Sequence, residues 1–359
     1  MSLDQALEAP VTSDLRIRAL DPLPTPHAML TELPLPAHSA ELVAKSRNEV
    51  RAVLNGTDDR VLAIVGPCSI HDPAAALDYA HKLAALVPEL EEDLVVVMRV
   101  YFEKPRTTLG WKGLINDPGM DETFDVQRGL RTAREVLLSV LEQGVPAATE
   151  FLEPTSPQFI ADAVSWGAIG ARNPESQVHR QMASGLSMPI GFKNATDGDV
   201  QAAVDGCVTA AAEHTFFGIS PDGRASVVAT TGNPDCHVIL RGGRGGPNYD
   251  DASVADAVSV ISDAGMEPRL VIDASHGNSG KSEVRQAEVV REISASIAQG
   301  NTYISGVMME SFLVAGNQKP APQGLVYGQS VTDKCIDWDT TADLLRELAA
   351  SARARRQAR

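Results

Sequence analysis

A thiol, an imidazole and two carboxylates stand far apart in this 359-residue chain: Cys68, His276, Glu310 and Asp333. Three of them follow short apolar runs. Cys68 comes after Leu62–Gly66, His276 after Leu270–Ser275 and Glu310 after Gly306–Met309. In a closed sheet the first run and the last two are neighbours, so these side chains converge at one rim. Asp333, in the loop 327–333, is placed to cap the same point. Mixed sulfur, nitrogen and oxygen donors suit a divalent transition metal better than Ca2+ or Mg2+. Ligand type alone does not choose among Mn2+, Fe2+, Co2+ and Zn2+. Taken singly, each group has a plainer reading, the cysteine as a small core filler and the histidine as a hydrogen-bonded turn residue. Convergence at one rim is what favours the metal.

Charged groups occupy equivalent places. Arg99 follows Leu94–Met98, Arg172 follows Ala168–Ala171, Lys193 follows Ile190–Phe192 and Arg241 follows His237–Leu240, while Glu150 follows Pro146–Thr149. The loop after Arg99 adds Lys104, Pro105, Arg106 and Thr107. Arginine offers a planar fork that matches carboxylate or phosphate, and lysine a movable charge and a proton. Burying such cations unpaired would be costly, so an anion is their natural partner. Two groupings, Arg172, Lys193 and Arg241 with Arg99, and Arg106 with Thr107, point to two anionic groups or two substrates. Lys193 alone admits a Schiff base with a carbonyl substrate. That chemistry leaves Cys68, His276, Glu310 and Asp333 without a role.

The elements that must position these residues are eight apolar runs alternating with helical stretches. This pattern predicts the α/β class and a parallel (β/α)8 barrel, with its active site on the loops at the strands' C-terminal ends. Helices are expected over Ala40–Leu54, Ala74–Leu86, Val126–Gln143, Pro157–Val164, Gly198–Ala212, Ser253–Ala264, Glu283–Ala298 and Thr341–Arg355, the last closing the barrel against its first strand. Residues 1–60 form an N-terminal extension and residues 61–359 the barrel. Within the extension, Leu15–Leu20 alternates like a short strand. Pro22, Pro24, Pro26, Pro34 and Pro36 predict extended, irregular chain. The connection between Lys193 and His237 is too long for a simple barrel. Two β-like runs around Pro221-Asp222-Gly223 predict an inserted β-hairpin at about 215–231. The extension and the hairpin suit regulation or oligomer contacts.

Composition narrows the partners. A net charge of −16 argues against nucleic acid or an anionic membrane. Aromatics at 4% leave few stacking surfaces for single strands. Against that acidic background, clustered cations point to a small, multiply charged anion. Four scattered cysteines do not make a disulfide scaffold. The N-terminus has no basic region leading into an apolar run, so the cytoplasm is the expected location.

The stretches GPCSIHD, MRVYFEKPRTTLGWKGLINDP, GAIGARNPESQVHR, GFKNATDG, HVILRGG, DASHGNSGK, GVMMESFLVAGNQ and YGQSVTDKCIDW closely resemble the type I 3-deoxy-D-arabino-heptulosonate 7-phosphate (DAHP) synthases, over about residues 12–350. The resemblance implies a TIM barrel that condenses phosphoenolpyruvate with erythrose 4-phosphate at the head of the shikimate pathway. Carried over by motif, Cys68, His276, Glu310 and Asp333 are its metal ligands, with Mn2+ first among the candidates. Arg99, Lys104, Arg172, Lys193 and Arg241 would hold phosphoenolpyruvate, with Glu150 ordering water or cations beside it. Arg106 and Thr107 would hold the phosphate of erythrose 4-phosphate. Lys104 would be the proton donor, with Asp333 and His276 assisting. Cys335, two residues beyond Asp333, would approach Cys68. The resemblance further implies an aromatic amino acid effector at Glu153, Pro157, Ser187, Phe216 and Gly218, and a homodimer or homotetramer; Gly218, with no side chain, leaves room for a phenol oxygen and favours tyrosine over phenylalanine. The nearest rivals are a related barrel making an eight- or nine-carbon sugar acid, a Schiff-base aldolase and a catalytically silent sensor.

Overall fold

Each apolar run becomes one strand of a closed parallel barrel in a computed structural model, which describes residues 12–106 and 109–358. The strands are Val61–Gly66, Leu94–Arg99, Ala147–Glu150, Trp166–Ile169, Ile190–Lys193, Cys236–Leu240, Leu270–Asp273 and Ile304–Glu310. Each pairs with its predecessor, and the eighth returns to the first in the register Leu62↔Gly306 to Gly66↔Glu310. That closing pair is what brings the loop bearing Cys68 beside Glu310.

Residue alternation sorts the side chains into two cores. Leu62 and Ile64 pack inward with Val95, Val97, Ala148, Trp166, Ala168, Ile239, Val271 and Met308. Val61, Ala63 and Val65 belong to the outer layer, against the surrounding helices. This is the period of two expected of a strand covered on both faces, and it explains why the strands read as continuous apolar runs. Val50, Val53 and Leu54 of helix Ala37–Leu54 join the inner cluster. That helix therefore plugs the barrel end where the strands begin, and the site has one open mouth at the other end. Helix Trp338–Gln357 packs on helices Glu283–Ala298 and Pro73–Leu90 and touches the first strand.

Several expectations are corrected. Leu15–Leu20 forms no strand. Leu15 and Leu20 are 70% and 82% exposed. Alternation alone cannot make a strand, because its backbone groups need a pairing edge. The proline-rich stretch is not wholly irregular: Pro26–Glu32 is a short helix capped by Thr25, whose Oγ1 accepts from Ala28 N at 3.1 Å. Proline tolerates the first helical turn because its missing N–H has no partner there. Helix Gln177–Ser184 was not anticipated, nor was the small sheet of Val314–Asn317 with Gln329–Ser330. The inserted hairpin pairs His214–Ile219 with Ala225–Thr230. Among the described residues, no helix is long and apolar enough to cross a membrane.

Trp166 is fully buried, and its Nε1 donates to His237 Nε2 at 3.1 Å inside the barrel. Trp166→Ala is expected to cost about 3–5 kcal/mol through lost burial and the cavity left behind. Urea unfolding measures it. A loss below about 1 kcal/mol would show that the barrel interior is not packed as described.

Candidate active site

The rim is built where strand ends meet loops held together by buried amides. Asn194 Nδ2 donates to Gly242 O at 3.0 Å, and its Oδ1 accepts from Arg241 N at 2.8 Å. Asn278 Nδ2 donates to Asp273 O at 2.8 Å and Leu240 O at 3.3 Å. The loops after the sixth and seventh strands lie backbone to backbone. A Cβ on Gly242, which has φ +71°, would come within 2.5 Å of the Gly277 carbonyl carbon. His276 itself sits at φ +53°, a left-handed conformation that a non-glycine residue holds only when its surroundings impose it.

Donor atoms of Cys68, Glu310 and Asp333 all lie within 4.8 Å of one another. His276 stands at the edge of this group, with Nε2 3.7 Å from Glu310 Oε1. Its Nδ1 faces Ser275 Oγ at 2.6 Å and Asp273 Oδ2 at 3.0 Å. Holding Nδ1 in this way leaves Nε2 as the ligating nitrogen. Glu310 is secured from behind by Gln286: Glu310 N donates to Gln286 Oε1 at 2.8 Å, and Gln286 Nε2 donates to Glu310 O at 2.9 Å. Cys335 does approach Cys68, whose backbone N donates to Cys335 Sγ at 3.4 Å. Burial pushes the Cys68 thiol up to about 11, Glu310 adding to the shift and Lys104 opposing it. One thiolate and two carboxylates beside an imidazole fit a divalent transition metal.

The cations stand on the other walls. Arg99 is fully buried and donates to Glu310 Oε1 at 3.2 Å and Pro67 O at 3.2 Å. Lys104 Nζ donates to Cys68 O at 3.0 Å and reaches Cys68 Sγ at 3.2 Å. Burial opposes its charge, but Cys68, Glu310 and Glu150 outweigh that and hold the ammonium above its ordinary range. Lys193 Nζ lies 3.1 Å from Asp273 Oδ2 and 3.5 Å from Glu150 Oε2. Burial opposes ionisation of both carboxyls. Lys193 and Lys104 nevertheless hold Glu150 below the carboxylate range, and His276 and Lys193 hold Asp273 well below it. Among the described residues Arg241 Nε has no hydrogen-bond partner, and burial lowers the guanidinium's hold on its proton. Arg106 Nε donates to Trp111 O at 2.7 Å, which fixes its stem. Thr107 lies outside the described residues.

Arg99, Lys104, Arg106, Glu150, Arg172, Lys193, Arg241, His276 and Asp333 line one cavity of about 810 Å³. Three residues at or behind this cavity are not marked by the sequence pattern. Asp273 is the buried anion between Lys193 and His276, and it hides at the end of an apolar run. Arg244 and Lys281 also line the cavity, Lys281 Nζ standing 3.3 Å from Asp333 Oδ1. Their signal was the glycine-rich context that lets a loop fold over a site.

A larger cavity of about 1110 Å³ lies away from this rim, between the hairpin, helix Gln177–Ser184 and the loop after the third strand. Pro157, Ser187, Phe216 and Gly218 line it, whereas Glu153 does not. Gly218 also has a packing reason, since a Cβ there would meet Val228 Cγ2 at 2.7 Å. The larger space is the less charged of the two.

A closed parallel barrel with a mixed-donor group that could hold a metal, and eight lysines and arginines around one cavity among the described residues, defines an enzyme site suited to small anionic substrates. The chain belongs to the DAHP synthetase I family, whose model matches residues 38–346. It is 55% identical over 367 aligned positions to a phospho-2-dehydro-3-deoxyheptonate aldolase of Corynebacterium glutamicum, with all of both chains covered. Two Escherichia coli relatives are each 50% identical. The Phe-sensitive one covers 96% of this chain and 98% of its own, and the Tyr-sensitive one 91% and 92%. A solved phospho-2-dehydro-3-deoxyheptonate aldolase from Francisella tularensis superposes with a TM-score of 0.93 at 48% identity, covering 94% of this chain and 99% of its own.

Gln286→Ala would leave the buried N–H of Glu310 without its partner, at about 1–3 kcal/mol, while Glu310 O keeps the bond from Ile336 N at 3.0 Å. It is also expected to weaken Mn2+ binding about 10–100-fold by loosening a ligand's support. Calorimetric titration with Mn2+ reads the second effect, and wild-type affinity would refute it.

Proposed function

We propose that the chain is a 3-deoxy-7-phosphoheptulonate synthase, joining phosphoenolpyruvate, D-erythrose 4-phosphate and water to give DAHP and phosphate. The observation that carries this reading is the apposition of Cys68, Glu310 and Asp333 to Lys104 and the surrounding arginines. A rim with a metal cluster alone would suit many hydrolases. One with the cations alone would bind phosphates without activating an aldehyde.

Arg99, Arg172, Lys193 and Arg241 hold the carboxylate and phosphate of phosphoenolpyruvate, with Glu150 setting the position of Lys193. Arg106 and Thr107 hold the phosphate of the aldose. Their main effect is to bring together two anions that repel each other in water. Cys68, His276, Glu310 and Asp333 would hold a divalent metal, Mn2+ by preference over Fe2+, Co2+ or Zn2+, which supplies Lewis-acid polarisation of the aldehyde oxygen. C3 of phosphoenolpyruvate attacks the aldehyde carbon, and positive charge develops at C2. Lys104 gives its proton to the new alkoxide, with His276 and Asp333 beside the same oxygen. Water adds at C2 and loses a proton to solvent. The C2–O bond to phosphate then breaks, the C2 hydroxyl gives its proton to the departing phosphate, and the 2-keto acid is left.

The larger cavity supports an aromatic amino acid effector. Phe216 gives it an apolar wall and Ser187 a polar one, and tyrosine is our first choice over phenylalanine. Residues 1–60 and the hairpin are assigned to regulatory and oligomer contacts in a homodimer or homotetramer. Phe217 and Val227, 94% and 72% exposed on the hairpin, support that assignment. We place the enzyme in the cytoplasm, with neither nucleic acid nor membrane as a partner.

Phosphate release should require both substrates, stop with EDTA and return with Mn2+. Release with arabinose 5-phosphate but not erythrose 4-phosphate would instead favour the related eight-carbon chemistry. Lys104→Ala should lower kcat by about 10²–10⁴ while leaving the unfolding midpoint nearly unchanged. Near-wild-type turnover would remove Lys104 from the proton transfer.

A further inference from the structure

Glu103 immediately precedes Lys104 and is only 1% exposed, yet the catalytic scheme gives it no part. Its side chain turns away from the rim and grips the loop after the third strand. Oε1 accepts from Glu153 N at 3.0 Å, and Oε2 accepts from Ser156 Oγ at 2.8 Å and Leu152 N at 3.4 Å. The far side of that loop, through Pro154, Thr155 and Pro157, is a wall of the larger cavity. Leu152 is held in addition by His179, whose Nε2 faces Leu152 O at 2.9 Å. His179 lies on the helix that brings Gln181 and Met182 to the same cavity.

The other end of Glu103 is equally constrained. Lys104 N donates to Lys112 O at 2.9 Å. Gly113 packs so closely that a Cβ there would lie 1.9 Å from Phe102 O and 3.0 Å from Glu103 Cα. The backbone at Glu103 therefore cannot shift without carrying the Lys104–Arg106 segment with it. A displacement of the cavity wall has a short, hydrogen-bonded route to the lysine that touches Cys68.

We propose that Glu103 is a positioning residue, a clasp that transmits occupancy of the larger cavity to Lys104 and Arg106. This rests on the effector reading given above. Both carboxylate oxygens serve as acceptors, so the clasp is complete only when Glu103 is ionised. Burial pushes its carboxyl up to about 7, with Glu153 adding to the shift. The other titratable groups around it are Lys104 and Lys112 in its own loop and His179 behind Leu152. Because protonation displaces a donor, coupling should be full above pH 7 and weaken below it.

The test uses the full-length, Mn2+-loaded enzyme with L-tyrosine and L-phenylalanine as probes. Binding is read by calorimetry and inhibition by phosphate release. Glu103→Gln should bind the probe within about threefold of wild type, while fractional inhibition at saturation falls at least about fivefold. Wild-type fractional inhibition should weaken from pH 8 to pH 6, and the Glu103→Gln profile should be flat. Ser156→Ala, which removes one of the three bonds and leaves the carboxylate, should lie between the two and decides the matter if Glu103→Gln fails to fold. Intact binding with unchanged inhibition and pH profile in the variants overturns the clasp alone. Failure of the wild type to bind either amino acid overturns the effector reading, and the clasp with it.

Discussion

Buried charge neutrality is the constraint on which the rest of this protein depends. Cations brought to one barrel mouth repel each other and lose hydration, and neither cost is small in a partly dry site. The fold meets it by placing carboxylates between them. Arg99 rests on Glu310, and Lys193 lies between Glu150 and Asp273. Two of these carboxylates have a further partner: Glu310 lies in the donor cluster, and Asp273 faces His276. Removing Lys193 would leave two buried carboxylates without their cation, so the donor cluster and the cations form one electrostatic unit.

The barrel supplies the rigidity such a unit needs. Closing the first strand on the eighth sets Gly66 opposite Glu310, and the buried amides of Asn194 and Asn278 tie the intervening loops. The strain of His276 is affordable only on a scaffold of this kind. Its left-handed backbone is imposed by a turn whose ends are fixed at Asp273 and Arg241, where Gly277 N donates to Arg241 O at 3.0 Å. The plug formed by Val50, Val53 and Leu54 dries the opposite end, so the interior is packed side chain rather than channel.

Much of this was legible in the sequence because a parallel barrel writes itself as buried runs followed by polar ends. Arg99, Glu150, Lys193 and Arg241 could be placed by counting to the end of an apolar run. Asp273 could not, because a carboxylate inside such a run reads as its boundary, and only the geometry shows that it faces Lys193 and His276. Glu103 was missed for the opposite reason. Beside Lys104 and Arg106 it looks like one charge in a solvated loop, and nothing local reveals that Leu152, Glu153 and Ser156 fold over it. Leu15–Leu20 failed differently again. Its alternation is real, but a strand is a pairing between segments, and among the described residues no edge meets it.

The two cavities divide the work by polarity. The rim cavity is the smaller and the more charged, and its lysines and arginines suit phosphate and carboxylate groups. The other is larger, with aromatic and small side chains, and suits a ligand with an apolar body. A (β/α)8 barrel offers few ways to couple two such places, since its strands are stiff and its interior is filled. Communication must therefore run through the loops at the strand ends. The second and third strands are adjacent, and each leads into a loop with two contacts: one loop carries Glu103 and Lys104, and the other follows Glu150 at the strand end and forms the cavity wall from Pro154 to Pro157. Glu150 and Lys193 bind the second of these loops to the anion site, and Glu103 binds the first loop to the second. A change in the apolar cavity thus reaches the reacting groups by hydrogen bonds and one ion pair, without any deformation of the barrel.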